Sequence, residues 1–417
     1  MSAAIQAPRG TVDVLPEEAA RRDAVEGHAR RILGAAGYRR IETPTFESTE
    51  LFARTVGETT DIVQKEMYTF TDAGDRSLTL RPEGTAPVCR AYLEHGLHKL
   101  PQPVKLWYLS SFFRAEAPQR GRYRQFWQIG AESIGADRPE VDAELIALLA
   151  ELLEAVGARD VQLHVSSLGT PEARAEYRQE LISYLRAHSD EISPDVRDRI
   201  DQNPLRAFDS KDERTIRTMQ SAPKLLDRLS GEDAEHFAAV RRLLDEVGLT
   251  YQVDPTLVRG LDYYTRTVFE FKSAVLGAQS TVGAGGRYDG LIEQIGGRPT
   301  PGCGWAAGME RMLLASGELP VAPMLVDLYV ALTDQGAAPR AFRLARDARR
   351  AGLNAHLELS GRALRRQLTQ ADRLGARYVA IVADSDPTAL KEMESGEQHD
   401  LEFDGVIPTI LRGSRLT

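Results

Sequence analysis

The sequence is poor in cysteine and contains no long apolar run. Its 417 residues include two cysteines, Cys89 and Cys303, too few for a disulfide framework or a thiolate metal site. No stretch approaches the ~18 consecutive apolar residues of a membrane span, and the N-terminus has no basic segment followed by an apolar core. We therefore expect a cytoplasmic protein with reduced, buried cysteines.

Several motifs of common active sites are also missing. The sequence contains no phosphate loop ending in Gly-Lys-Ser/Thr, no nucleophile elbow and no closely spaced cysteine pair. His95 and His98 are three residues apart, but no third ligand accompanies them. We interpret them as surface histidines on a helix and predict no protein-held metal site.

Charge is distributed unevenly along the chain. The net charge of −9 disfavours a protein that binds nucleic acid over its whole surface. Between Arg340 and Arg377, however, ten arginines stand against the three acids Asp347, Glu358 and Asp372. This segment is expected either to meet a polyanionic partner or to form a solvated helical surface.

The first part of the chain has the pattern of an α+β domain. Helices are predicted over 16–37, ended by Gly37, and over 139–156. Strands are predicted between them, near 78–81, 104–109, 111–116 and 123–132. Strands that cluster in this way favour an antiparallel sheet.

The rest of the chain contains two further sequence patterns. Residues 171–250 are charged and helix-favouring, and strand patterns resume after them, so we interpret this segment as a helical insertion between 1–170 and 251–320. Strands and helices alternate in 322–417, including a helix capped by Ser360, which predicts a C-terminal α/β domain with a largely parallel sheet.

The segment 112–132, FFRAEAPQRGRYRQFWQIGAE, predicts a β-hairpin with a functional face. The side chains expected on that face are Arg114, Glu116, Arg122, Arg124, Phe126, Gln128 and Glu132. Arginine forks, a flat aromatic ring and carboxylates suit a nucleotide. A solvated basic hairpin with Phe126 in the core is an equally weighted alternative.

Three shorter segments carry further candidates. Glu83 and Thr85 stand at a strand-to-helix turn, where they could hold an ammonium group or cap the helix. The glycine-rich 283–290 is interpreted as a tight turn, since it lacks the spacing and the lysine of a phosphate loop. Arg311 stands at a predicted helix start, where its charge opposes the helix dipole, which suggests an anionic ligand.

The stretch RGLDYYTRTVFEF at 259–271 combines two patterns. Its second half alternates like a half-buried strand. Its first half gathers Arg259, Asp262, Tyr263 and Tyr264, which periodicity does not explain.

Together these stretches resemble the class II aminoacyl-tRNA synthetases, and the histidyl-tRNA synthetase family in particular. The segment ending at Pro44 is similar to motif 1, FRAEAPQRGRYRQFWQIGAE to motif 2 and GCGWAAGMER to motif 3. LVRGLDYYTRTVFEF and GGRYDGLIEQIGG are similar to the two histidine-specific signatures, and SGRALRRQLTQADRLGA is similar to part of the anticodon-binding domain. The resemblance implies a class II antiparallel-sheet catalytic domain with a helical insertion, followed by an α/β anticodon-binding domain.

The resemblance also implies an activity and its substrates. A homodimer would activate L-histidine with ATP, accompanied by Mg²⁺, and transfer the histidyl group to tRNA(His). By the same resemblance the catalytic residues are Arg259 and Arg114. The implied ATP-binding residues are Arg114, Glu116, Arg122, Phe126 and Arg311. The implied histidine-binding residues are Glu83, Thr85 and Gln128 for the amino group, Glu132 and Tyr264 for the imidazole, and Tyr263 beside them.

The acceptor end of the tRNA is expected to meet Gln119 and Arg122. Ala117 stands where the family often has arginine, so this contact is expected to be distributed differently. A related class consists of regulatory subunits of ATP phosphoribosyltransferase, which typically lack the C-terminal domain. That alternative is disfavoured because the chain keeps Arg259, Tyr264 and Arg311 together with a basic C-terminal module.

Overall fold

The computed structural model describes residues 4–57, 60–277, 280–317, 319 and 325–413. The chain separates into two units, Met1–Val321 and Ala322–Thr417. The predicted boundary at 320–322 lies outside the described residues. Among the described helices, none is long and apolar enough to cross a membrane.

The helices and strands are numbered in chain order. The strands are β1 Arg39–Arg40, β2 Phe46–Ser48, β3 Tyr68–Thr71, β4 Ser77–Leu80, β5 Val104–Phe113, β6 Gln125–Ile134, β7 Val161–Ser167, β8 Tyr251–Val253, β9 Thr265–Ser273, β10 Thr281–Arg287, β11 Gly302–Gly308, β12 Leu328–Leu332, β13 Ala355–Leu357, β14 Tyr378–Val382, β15 Thr388–Glu392 and β16 Gln398–Leu401. The α-helices are α1 Pro16–Ala35, α2 Thr49–Val56, α3 Thr85–Glu94, α4 Pro139–Ala155, α5 Pro171–Ala187, α6 Pro194–Asp198, α7 Glu213–Gln220, α8 Gly231–Glu246, α9 Leu291–Gln294, α10 Met309–Ser316, α11 Ala338–Arg350, α12 Leu364–Arg373 and α13 Val406–Gly413.

The N-terminal unit is built on an eight-stranded sheet of order β1-β5-β6-β11-β10-β9-β7-β8. Its six central strands pair antiparallel, and the short edge strands β1 and β8 pair parallel to their neighbours. The strands β2, β4 and β3 form a separate small antiparallel sheet. The predicted α+β class with an antiparallel sheet is confirmed.

Helices α1, α4 and α8 supply apolar side chains to the core of the large sheet. The α4 residues Leu145, Leu149 and Leu152 are fully buried in one cluster with Phe269 and Phe271 of β9. The predicted helices 16–37 and 139–156 are present as α1 and α4. Each is followed by a glycine with positive φ, a conformation that glycine adopts without a steric penalty.

The predicted hairpin differs from the observed one in its boundaries. The strands predicted at 104–109 and 111–116 are one strand, β5, because Ser110 and Ser111 continue the ladder opposite β6. Arg114 and Glu116 therefore follow the strand, and Arg122 lies in the connecting loop before β6. The arginines of this segment are loop residues at one end of the sheet, rather than one face of two strands.

The prediction of a tight turn for the glycine-rich segment 283–290 is wrong. Its first residues form β10, a central strand between β9 and β11. A Cβ atom on Gly285 would overlap the carbonyl oxygen of Gly304, and one on Gly286 would approach the carbonyl oxygen of Thr267 to 2.6 Å. These glycines allow neighbouring strands and side chains to approach closely. In the sequence alone, such a run of glycines looks the same as a turn.

Segment 171–250 contains α5 to α8 together with short 3₁₀ turns. Its last helix, α8, places Phe237, Val240 and Leu244 in the cluster that covers the large sheet. Helix α8 thus shares its core with α4. The division of the chain at residues 171 and 250 stays a prediction.

The C-terminal unit has a five-stranded sheet of order β13-β12-β14-β15-β16. The first three strands are parallel, as predicted, and β15 and β16 extend the sheet antiparallel, which the sequence pattern does not predict. The predicted cap at Ser360 is wrong. Helix α12 begins at Leu364, and the Ser360 amide donates to the Glu358 carboxylate instead.

A buried ion pair joins the large sheet to α4. Arg287 of β10 and Asp142 of α4 are both fully buried and hydrogen-bonded to each other. Arg287 also donates to the carbonyl oxygens of Ala136 and Arg138 and to Asp289. Because all these partners surround one guanidinium, its removal leaves several buried acceptors without a donor.

We expect Arg287→Met to destabilise the protein by about 3–5 kcal/mol, since it leaves the Asp142 carboxylate buried and unpaired. Arg287→Met combined with Asp142→Leu is expected to recover part of this loss. Urea denaturation measures both free energies of unfolding. Arg298→Met, at an exposed arginine, is the control, and equal stabilities of the Arg287 variant and this control would contradict the expectation.

Candidate active site

A cavity of about 310 Å³ lies against the antiparallel centre of the large sheet. It is lined by most of the residues predicted to bind histidine or ATP: Glu83, Thr85, Arg114, Glu116, Arg122, Phe126, Gln128, Arg259, Tyr263, Tyr264 and Arg311. Glu132 is fully buried behind Thr85, and Gln119 is exposed on the loop before β6.

Glu83 and Thr85 form one wall of the cavity at the start of α3. The Glu83 carboxylate accepts hydrogen bonds from the amides of Thr85 and Ala86, at 2.8 and 2.9 Å. The predicted cap is therefore present, and the carboxylate also lines the cavity, while its binding of an ammonium group stays a prediction. Burial raises the pKa of Glu83 above its ordinary value.

Glu132 is surrounded by hydroxyl groups. Its Oε1 accepts from Thr85 Oγ1 at 2.9 Å and, at 3.5 Å, from the Tyr108 hydroxyl. Its Oε2 accepts from the Tyr288 hydroxyl at 2.7 Å. Burial raises the pKa of Glu132 to about 8, although these hydrogen bonds favour the ionised form.

Tyr263 and Tyr264 are buried next to each other before β9, with ring centroids 4.8 Å apart. The Tyr263 hydroxyl is 3.5 Å from Glu83 Oε2. Two residues later, Arg266 has a φ of 45°, where the register between β9 and β10 shifts. Tyr263 and Tyr264 themselves lie in the turn before β9, where strand alternation does not apply, so two consecutive tyrosines can line one cavity.

Arg259 lies between a tyrosine ring and a carboxylate. Its guanidinium carbon is 5.7 Å from the centroid of Tyr264, and its Nη1 is 3.6 Å from Glu270 Oε1. Its Nε is buried and has no hydrogen-bond partner among the described residues. Arg259 therefore presents an unpaired donor beside the cavity, which suits an anionic ligand.

A further group of lining residues is basic and aromatic. The Arg114 guanidinium lies 5.4 Å from the centroid of Phe126 and donates to the carbonyl oxygen of Pro82. Glu116 and Arg122 form an ion pair at 2.8 Å. Burial, with a smaller effect of neighbouring Arg122, lowers the pKa of Arg311 to about 10. Such an arrangement favours a polyanion with a flat ring.

The family model for histidyl-tRNA synthetase matches residues 10–312. A histidine–tRNA ligase from Thermosynechococcus vestitus is 48% identical over 400 residues, which cover 94% of this chain and 93% of that relative. The chain belongs to the histidyl-tRNA synthetase family. It is accordingly an enzyme of the ligase class.

A solved structure and a second family model agree with this membership. The apo histidyl-tRNA synthetase of S. aureus superposes with a TM-score of 0.81 at 36% identity, over 98% of this chain and 100% of that one. The model of an anticodon binding domain matches residues 327–412. The predicted class II fold with a C-terminal anticodon-binding domain is confirmed.

The fold by itself does not separate the enzyme from the regulatory alternative. A Bacillus halodurans structure titled ATP phosphoribosyltransferase regulatory subunit/histidyl-tRNA synthetase has a TM-score of 0.66 at 23% identity, over 92% of this chain and 99% of that one. That likeness concerns the fold alone. The distinction rests on the ligases of much higher identity.

Sequence reasoning missed several residues of this synthetase-family site. Tyr108 and Glu270 line the cavity from β5 and β9, and Tyr288 hydrogen-bonds Glu132 from behind it. Glu310 is buried, accepts from the Trp127 amide and pairs with Arg22 of α1 at 3.1 Å. Of these residues, strand alternation offered a signal only for Glu270, because it places that side chain on the opposite face of β9 from the buried Phe269.

Asp262 is the one residue of the 259–264 group without a predicted role. It lines a smaller cavity of about 190 Å³, together with Arg174, Arg178 and Arg206. A Cβ atom on Gly57 would overlap its carboxylate, so the chain at Gly57 passes close to it. The structure thus separates Asp262 from Tyr263, which faces the larger cavity.

The buried carboxyl of Glu132 makes stability depend on pH. With its pKa raised from 4.5 to about 8, the folded state keeps a proton that the unfolded chain releases above pH ~4.5. The contribution of Glu132 to the unfolding free energy therefore falls as pH rises from 5 to 8. Glu132→Gln has no proton to release, so its stability relative to the native sequence should increase by up to about 1.4 kcal/mol per pH unit in this window.

Urea denaturation at pH 5, 6, 7 and 8 measures the difference. Glu176→Gln, at an exposed glutamate of α5, serves as control. A stability difference that stays constant from pH 5 to pH 8 would show that Glu132 does not retain its proton in the folded protein.

Proposed function

We propose that the chain activates L-histidine with ATP to histidyl-adenylate and transfers the histidyl group to the 3′ end of tRNA(His). The observation that carries the proposal is one cavity with two chemically different sets of lining residues. Buried carboxylates and tyrosines form one set, and arginines with Phe126 form the other. Family membership makes histidine and ATP the matching substrates.

At the histidine end, the ammonium group pairs with Glu83 and also meets Thr85 and Gln128. Gln128 Oε1 supports this role, because it is buried and has no partner among the described residues. Tyr264 and Glu132 contact the two imidazole nitrogens. A buried site that pairs both ring nitrogens disfavours amino acids that leave its polar groups unpaired.

At the nucleotide end, Phe126 stacks on adenine and Glu116 accepts from its amino group. Arg114 and Arg259 contact the α-phosphate, and Arg311 contacts the nucleotide from the other side, while Arg122 meets the γ-phosphate or the tRNA end. A histidine carboxylate oxygen attacks the α-phosphorus, the bond to the bridging oxygen breaks, and pyrophosphate leaves. Fixed guanidinium groups stabilise the charge that develops on the phosphoryl oxygens.

The second step joins histidine to the tRNA. A ribose hydroxyl of the terminal adenosine attacks the carbonyl carbon of the adenylate, and AMP leaves. We assign the acceptor-end contact to Arg122 and Gln119, and Gln119 is exposed beside the cavity. The match of residues 327–412 to an anticodon binding domain supports tRNA as the partner.

Mg²⁺ fits this site only as a companion of ATP. Among the described residues, no three metal-ligating side chains are grouped together. Separate carboxylates, Glu116 and Glu270, line the cavity. Mg²⁺ commonly binds one or two carboxylates together with substrate phosphates, which it neutralises. The proposal further includes a homodimer acting in the cytoplasm, supported by the motif 1 resemblance of the segment ending at Pro44.

The test of the function is pyrophosphate exchange. The purified protein with Mg²⁺ and ATP should incorporate labelled pyrophosphate into ATP when histidine is present, and at background level without it. Exchange absent at saturating histidine would overturn the proposed function. Exchange supported equally by other amino acids would overturn its specificity.

Arg259→Ala is expected to slow exchange by at least a hundred-fold, because a charge-stabilising donor at the reacting phosphate is removed. The Kd for histidine should change less than about three-fold, since the arginine contacts the phosphate in this assignment. Arg259→Lys is the matched variant, which keeps the charge but loses the fork. Weakened histidine binding at an unchanged exchange rate would contradict the role of Arg259.

A further inference from the structure

The strongest unassigned feature is the set of hydroxyl groups around Glu132. Both oxygens of this fully buried carboxyl group accept from the protein, Oε1 from Thr85 and Tyr108 and Oε2 from Tyr288. Tyr288 gives the shortest of these contacts, at 2.7 Å. It is 1% exposed and, unlike Thr85 and Tyr108, is not part of the cavity lining.

Glycines on neighbouring strands make room for this cluster. A Cβ atom on Gly304, which pairs with Glu132 across β6 and β11, would overlap Glu132 Oε2. A Cβ atom on Gly302 would overlap the ring of Tyr288. The Tyr288 hydroxyl therefore reaches Oε2 only because both positions of β11 lack side chains.

Tyr288 also supports the tyrosine that lines the cavity beside Tyr264. Its ring is edge-on to Tyr263, with centroids 5.9 Å apart, and Tyr263 stacks at an angle on Tyr264. One buried phenol thus contacts the Glu132 carboxyl group through its hydroxyl and Tyr263 through its ring.

The geometry points to Tyr288 as a positioning residue that fixes the orientation and charge of the Glu132 carboxyl group, and thereby the selectivity for histidine. This inference rests on the proposed function. With Oε1 accepting from Thr85 and Tyr108 and Oε2 accepting from Tyr288, the orientation of the carboxyl group is fixed, and one lone pair, on Oε2, remains. A phenol that donates to Oε2 also favours the ionised carboxylate, which can accept a hydrogen bond from an imidazole N–H.

Other titratable groups face Glu132 from each element packed against it. They are Glu83, Cys89, Tyr108, Tyr263, Tyr264, Tyr288 and Cys303. Burial raises the pKa of each of these groups. Of these seven described groups, Glu83 is the one other carboxyl, so its titration can overlap that of Glu132.

Tyr288→Phe removes the hydroxyl and keeps the ring. In histidine-dependent exchange at pH 7, we expect KM for histidine to rise about ten-fold or more, because without the phenol a smaller fraction of Glu132 carries the charge that accepts from the imidazole N–H. The kcat and KM for ATP should change less than about two-fold. The rise in KM should shrink toward pH 9, where the carboxyl group ionises without the hydroxyl.

Two matched variants complete this measurement. Tyr108→Phe removes the longer contact at 3.5 Å and should have a smaller effect on KM for histidine. Tyr92→Phe deletes the hydroxyl of another buried tyrosine, which bonds Gln102, and should have none. A Tyr288→Phe enzyme with unchanged KM for histidine, or with KM for histidine and ATP raised equally at every pH, would overturn the inference.

A second readout does not depend on activity. With ¹³C-labelled glutamate, the carboxyl signal of Glu132, assigned through Glu132→Gln, should titrate at higher pH in Tyr288→Phe than in the native protein. An unchanged midpoint overturns the positioning role even if exchange is normal. Absent exchange in the native protein, with a shifted midpoint in the variant, overturns the proposed function and leaves the carboxyl–phenol coupling established.

Discussion

The site depends on the close approach of the central strands of the large sheet. Gly84 and Gly130 both face the ring of Tyr108, and a Cβ atom at either position would overlap it. Gly302 and Gly304 make the same allowance for Tyr288 and Glu132. A sheet with ordinary side chains at these positions would have no space for two phenols and a carboxyl group between its strands. The backbone therefore makes the space that the phenols and the carboxyl group beside the cavity occupy.

This arrangement places carboxyl groups where water is excluded. Burial disfavours the charged form of both Glu83 and Glu132, and among the described residues each is compensated mainly by hydrogen bonds. Glu83 accepts hydrogen bonds from two backbone amides of α3, and Glu132 accepts hydrogen bonds from three hydroxyl groups. These donors do not occupy every lone pair of the two carboxylates, so a cationic or N–H-bearing ligand can also hydrogen-bond to them.

The sequence predicted the elements whose causes are local. Helices α1 and α4 follow from apolar spacing and from glycine at their ends, and the parallel core of the C-terminal sheet follows from alternation of strands and helices. The long strand β5 was missed because Ser110 and Ser111 resemble a break in sequence, although the ladder continues through them. Arg287 and Asp142 pair across 145 positions, and no local pattern brings them together.

The same limit applies within the site. The resemblance named Glu83, Thr85 and Glu132, but Tyr108 and Tyr288 meet Glu132 only through strand register and the glycines opposite them. The assigned roles of these residues stay predictions, while their convergence is a property of the fold.

A series of polar contacts links two of the arginines that line the cavity. Arg259 pairs with Glu270, the Thr281 hydroxyl donates to Glu270, and Arg311 donates to the Thr281 carbonyl oxygen. Glu270 and Thr281 stand near the ends of the adjacent strands β9 and β10, so the large sheet itself sets the spacing between the two arginines. Glu270 thus places a negative charge in an otherwise basic wall, where it pairs with Arg259 at 3.6 Å and is linked through Thr281 to Arg311.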